Sequence, residues 1–110
     1  MRIALPVNGE DLDPRWGKAH DVVVAEVNAG EISSWELHEV EWDRLHDEGP
    51  HGTHHARIVR FLIANKVDTV VIDHAGQSML NTMAKMGLRV LTGQTGSARQ
   101  AALRAAASQS

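Results

Sequence analysis

The sequence predicts an α/β domain in which helices pack on a mixed sheet of five strands. Three observations carry this. Residues 22–42 hold two runs of strand-forming side chains divided by Asn28-Ala29-Gly30, the mark of an antiparallel hairpin. Val67, Val70, Val71 and Ile72 form a near-continuous apolar run, as a strand covered on both faces requires. That run lies between two segments in which apolar residues recur at helical spacing.

Taken in order, Ile3, Ala4, Leu5 and Val7 make the first strand, and Pro6 within it implies that one side lacks a regular pairing partner there. Residues 8–20 read as a loop, because Asn8-Gly9 and Asp13-Pro14 are turn-forming pairs. Val22, Val23, Val24, Ala25 and Val27 form the second strand. Residues 32–42 form the third, with one wet face. The period then changes across the polar stretch 43–52. Thr53 is the expected N-cap of a helix carrying Ile58, Val59, Leu62 and Ile63. After the fourth strand, Ser78 is the expected cap of a helix with Met79, Met83 and Met86 on its core side, closed by Gly87. Leu88, Val90 and Leu91 form the last strand. Ser97 then caps an alanine-rich helix over 98–107. The string βββαβαβα contains crossovers whose handedness sets strands parallel and helices against the sheet. It spans residues 1–110 as one domain, without repeat or linker.

Composition excludes several functions. A formal net charge of −3, with Lys18, Lys66 and Lys85 far apart, offers no polyanion-binding patch, so nucleic acid is not an expected partner. The absence of cysteine removes disulfides, thiolate nucleophiles and Cys-ligated metal centres. No stretch reads as a secretory signal or a membrane span, and a cytoplasmic location is the default expectation. There is no Gly-x-Ser-x-Gly elbow, dinucleotide fingerprint or P-loop. Asp11, Asp13, Asp47 and Asp73 could bind Mg²⁺, but the first strand lacks the acidic residue that would anchor a two-metal nuclease. No catalytic residue is assigned.

In an open α/β sheet ligands collect beyond the carboxyl ends of parallel strands, where helix starts converge. That rule selects residues 8–17, 74–78 and 92–97, with Gly76 and Gly96 allowing close approach or simply permitting turns. The sharpest signal is His51-Gly52-Thr53-His54-His55, with His46 upstream. Imidazoles in a loop entering a helix suit a borderline metal, and they suit an ordinary solvated loop as well. His74 leaves the fourth strand directly, placed for ligand contact or for capping, while His20 and His38 read as structural or surface groups.

Met-Arg-Ile-Ala-Leu-Pro-Val-Asn at 1–8, Arg-Trp-Gly-Lys-Ala at 15–19, the His-rich stretch, Val-Asp-Thr-Val-Val-Ile-Asp at 67–73 followed by Gly76, and Met-Gly-Leu-Arg-Val-Leu at 86–91 with Gly93 and the final helix come in one order. Together they resemble the dinitrogenase iron-molybdenum cofactor biosynthesis family, the nitrogenase accessory-factor-like domain. Two departures stand out: Arg15 occupies the place of a leading histidine, and Asp73-His74-Ala75-Gly76 that of a glycine-richer loop. The resemblance implies a ribonuclease-H-like three-layer α/β/α fold with five strands in the order 3-2-1-4-5, strand 2 antiparallel. It further implies a non-enzymatic domain that binds or carries an iron-sulfur or iron-molybdenum cluster between a donor and an acceptor protein. His51, His54 and His55 would ligate exposed metal. Arg15, Lys18, His74 and the backbone at Gly76 and Gly96 would meet the cluster's charge, and Trp16 would cover an apolar side. Two other readings stay open: a metal-free small-ligand sensor or protein-interaction module, and a metal-dependent phosphoesterase or nuclease.

Overall fold

A computed structural model describes residues 1–50 and 52–108. His51 therefore lies outside the described residues. The elements are β1 (Arg2–Asn8), β2 (Asp11–Leu12), β3 (Asp21–Asn28), β4 (Glu31–Glu39), α1 (Trp42–Leu45), α2 (Thr53–Ala64), β5 (Thr69–Val71), α3 (Gln77–Lys85), β6 (Arg89–Leu91) and α4 (Ala98–Ala107), with a 3-10 turn at Trp16–Lys18.

The expected ribonuclease-H-like sheet of five strands in order 3-2-1-4-5 is corrected. The sheet has six strands, with β4-β3-β1-β5-β6 as its path and β2 paired to β1 off that path. The extra strand arises because the chain reverses at Gly9-Glu10 and sets Leu12 opposite Val7 and Asp11 opposite Asn8. Two residues of strand leave no period in a sequence. Among the described residues the α-helices number four, since the expected third strand stops at Glu39 and Trp42 opens α1 instead. β3 runs antiparallel to β1 and β4, while β1, β5 and β6 run parallel.

Pro6 sits where the neighbours of β1 change. β5 pairs with Ile3 and Ala4, and β2 pairs with Val7 and Asn8. The Pro6 carbonyl accepts from the Asp13 amide at 2.9 Å on that side. Along a strand the N and C=O of one residue face the same neighbour, so the missing N–H falls in the gap between β5 and β2. The β3–β4 hairpin turns on Ala29 (φ 53°) and Gly30 (φ 78°), the pair of positive φ values that a two-residue turn needs to match strand twist.

Period-two alternation divides the core. Ala4, Val22, Val24, Val70 and Ile72 face a cluster with Trp16, Trp42, Ile58, Leu62, Met79 and Met83, under α1, α2 and α3. Ile3, Leu5, Val7, Val23, Ala25, Val27 and Val71 face the other side, beneath Ala98, Ala101, Ala102 and Ala105 of α4. Four alanines bury little area each but let the helix axis come close to the sheet.

Candidate functional site

A cleft opens beyond the carboxyl end of β5, between the 3-10 turn and the starts of α2 and α3. The chain leaving β2 crosses this end of the sheet, and the Arg15 backbone makes a parallel bridge to that of His74. Asp13, only 3% exposed, holds the crossing in place. Its Oδ1 accepts from the Arg15 amide at 2.9 Å and from Arg15 Nε at 3.3 Å, and its Oδ2 accepts from Nη2 at 3.4 Å. A cavity of about 400 Å³ results, lined by Arg15, Trp16, Lys18, His54, His74 and Gly76, with His46 beside them. A second cavity of about 430 Å³ shares His46 and His54 and adds His55.

Most of the sequence-predicted site residues thus share one cleft. Gly96 does not line it: its carbonyl accepts from the Leu12 amide at 2.8 Å, on the approach to α4. Trp16 lies in the wall, 1% exposed, with its ring edge-on to Trp42 at 5.2 Å. The expected caps also differ. Ser97 does cap α4, accepting from the Gln100 amide at 3.2 Å. Thr53 and Ser78 instead lie inside their helices, whose N-caps are Gly52 and Gly76 without a side-chain hydrogen bond. The two helix starts at the cleft therefore carry amide donors with no side-chain cap, which favours negative charge nearby.

His54 joins three walls. Its Nε2 donates to the Gly17 carbonyl at 2.7 Å, and its Nδ1 accepts from Arg57 Nη1 at 2.9 Å. Burial pushes its pKa below the ordinary histidine value; the Gly17 bond opposes this, and the Arg57 charge adds to it. His54 is accordingly neutral at pH 7. His74 is well exposed, with Nδ1 3.7 Å from Asp73 Oδ2, and His46 Nδ1 lies 3.0 Å from Asp47 Oδ1.

A second cluster escaped sequence reasoning, which took His20 for a structural or surface group. His20, Asp21 and Glu39 each place a ligand atom within 4.8 Å of the others, close enough to share one metal ion. Cross-strand pairing of Asp21 with Glu39 brings them together, and only strand register could have revealed it. Hydrogen bonds also join the group. His20 Nε2 lies 2.9 Å from Glu39, Nδ1 lies 3.1 Å from Asp43, and the two carboxylates raise the His20 pKa from 6.5 to about 9. A pKa raised on folding stabilises the fold fully below the unfolded value of 6.5, and that share is lost as pH rises through about 9. Urea midpoints taken at pH 6 and pH 9.5 should fall more for the wild type than for His20→Gln. Equal falls would remove His20 from this role.

With this geometry in view, comparison with known proteins is informative. The sequence profile of the dinitrogenase iron-molybdenum cofactor family matches residues 1–109. The chain belongs to this family. An uncharacterized protein of Methanocaldococcus jannaschii is 28% identical over 96 residues, covering 86% of this chain and 76% of that protein. The apo form of the orange protein from Desulfovibrio gigas superposes with a TM-score of 0.74 at 22% identity, covering 98% of this chain and 88% of the other. A Thermotoga protein solved by NMR as a NifB candidate gives a TM-score of 0.70 at 19% identity, covering 98% and 89%. Membership of the dinitrogenase iron-molybdenum cofactor family places the chain among non-catalytic accessory proteins, binders or carriers of a metal or metal-sulfur cofactor. Among the described residues, no helix is long and apolar enough to cross a membrane.

The cleft residues fit such cargo by their chemistry. Without cysteine the chain cannot build a thiolate cage, and the cleft offers imidazoles with positive charge beside them instead. The cleft imidazoles are spread out: the rings of His46 and His54 stand 6.4 Å apart.

Proposed function

We propose that the cleft holds an anionic metal-sulfur cluster, of the iron-sulfur or iron-molybdenum type, as cargo for transfer between a donor and an acceptor protein. The observation that carries this is the convergence of Arg15, Lys18, His46 and His74 around about 400 Å³, with His55 lining the adjoining cavity that shares His46, beside two helix starts that lack side-chain caps. Each group suits part of the cargo. The exposed imidazole of His74 and the half-buried one of His55 offer lone pairs to metal atoms at its surface. Arg15, Lys18 and the amides after Gly76 balance its charge. A few ligands from separate elements, rather than a closed set of four, favour release to a partner. His54 acts as a brace between the walls, since both its ring nitrogens are engaged.

The test is anoxic reconstitution with iron, molybdate and sulfide, followed by metal and acid-labile sulfide analysis. Wild type should retain stoichiometric metal and sulfide, and the His46→Ala/His55→Ala/His74→Ala protein should retain at least tenfold less at an unchanged urea midpoint. Equal retention would refute the cleft as the cargo site.

A further inference from the structure

The engagement of His54 has a consequence for which metals the cleft admits. A neutral imidazole offers one lone pair and one N–H, and the partners decide which nitrogen carries which. Arg57 has only donors and stays charged, so its Nη1 at 2.9 Å from Nδ1 forces the lone pair onto Nδ1. The Gly17 carbonyl at 2.7 Å is only an acceptor and forces the proton onto Nε2. Both contacts agree on a single tautomer. The same Arg57 nitrogen also donates to the Leu45 carbonyl at 3.2 Å, which ties the guanidinium to the end of α1 and holds it over the His54 lone pair. His46 follows Leu45 directly, and its ring stands 6.4 Å from that of His54. The two rings stand edge-on, so an ion that reached His54 Nδ1 in the absence of Arg57 would have a second imidazole close by.

We propose that Arg57 is a positioning residue that locks His54 as the Nε2–H tautomer and withholds its lone pair from free divalent ions. The cleft is thereby kept for cargo that brings its own metal–sulfur bonds. This rests on the cleft being the cargo site, but neither measurement below uses a cluster, so either idea can fail alone.

The first measurement is the ¹⁵N ring shifts of His54 in the wild type, expected to show protonation at Nε2. The second is titration with Co²⁺, followed by its visible absorption, in a His20→Gln background so that the other cluster cannot take the ion. Arg57→Met should bind Co²⁺ at least tenfold more tightly than the Arg57 protein, Arg57→Lys should stay close to it, and His46→Ala added to Arg57→Met should abolish the gain. Protonation at Nδ1 in the wild type, or a folded Arg57→Met protein with unchanged Co²⁺ affinity, would overturn the proposal. If Arg57→Met does not fold, Arg57→Ala is titrated in its place, with the same two outcomes deciding.

Discussion

Trp42→Ala is expected to cost about 3–5 kcal/mol of folding stability, the usual range for deleting a buried indole. Trp42 is 1% exposed and stands edge-on to Trp16 at 5.2 Å, to Phe61 at 5.6 Å and to His54 at 6.2 Å. Each contact ties α1 to a different wall: the 3-10 turn, the middle of α2 and the start of α2. The cavity left behind would lie beneath all three, with no single neighbour able to fill it. A domain of this size is held by about 5–15 kcal/mol, so the loss would take about a fifth of its stability or more. Equilibrium urea unfolding should show a large fall in midpoint with little change in slope. Trp42→Phe keeps a ring in the same place and should recover most of the loss. A change below about 1 kcal/mol in Trp42→Ala would mean that the aromatic cluster is peripheral to stability.

The same tryptophan shows what a sequence can reveal and what it cannot. Continuous apolar runs survive because β3 and β5 are buried on both faces: Val22, Val24, Val70 and Ile72 reach one side of the core, and Val23 and Val71 reach the other. Trp42 looked like the end of a strand because an indole suits strand and helix starts alike. Its true role depends on Trp16, which no local pattern relates to it. Thr53 and Ser78 fail as caps for a similar reason. Gly52 and Gly76, one and two residues earlier, already give the chain its entry angle, so the side-chain oxygens have no cap to make.

Site residues divide along the same line. Arg15, His74 and Gly76 line one cavity, as expected of loops that converge beyond parallel strands, and Lys18, which only the family resemblance pointed to, lines it with them. Gly96 follows the same rule in sequence, yet β2 intervenes: Asp11 bridges to Ser97, and this draws the loop before α4 toward β2 and away from the cleft. His20 was not legible at all, since its partners Glu39 and Asp43 are 19 and 23 residues away and reach it only once β4 and α1 are placed.

If the cargo is anionic, removing positive charge from the cleft should weaken uptake without disturbing the fold. Lys18→Gln is the clean probe, because Lys18 lines the cavity and can lose its charge without changing the wall behind it. It should lower apparent affinity in reconstitution by about tenfold, and Lys18→Gln/Arg15→Gln by roughly a hundredfold, the scale of one charge-assisted contact each. Wild-type uptake should also fall with added salt, and the variants should fall less, since exposed charges are screened over about 8–10 Å at moderate ionic strength. Arg15 needs a second variant, because it also pairs with the buried Asp13 carboxylate. Arg15→Lys keeps the charge and gives up the two-nitrogen grip on Asp13. Uptake retained in Arg15→Lys but lost in Arg15→Gln would assign Arg15 to the cargo's charge. Uptake lost in both would assign it to holding the turn that carries Trp16 and Lys18, and leave the charge to Lys18 and the two helix starts. A salt-independent wild type would contradict an anionic cargo altogether.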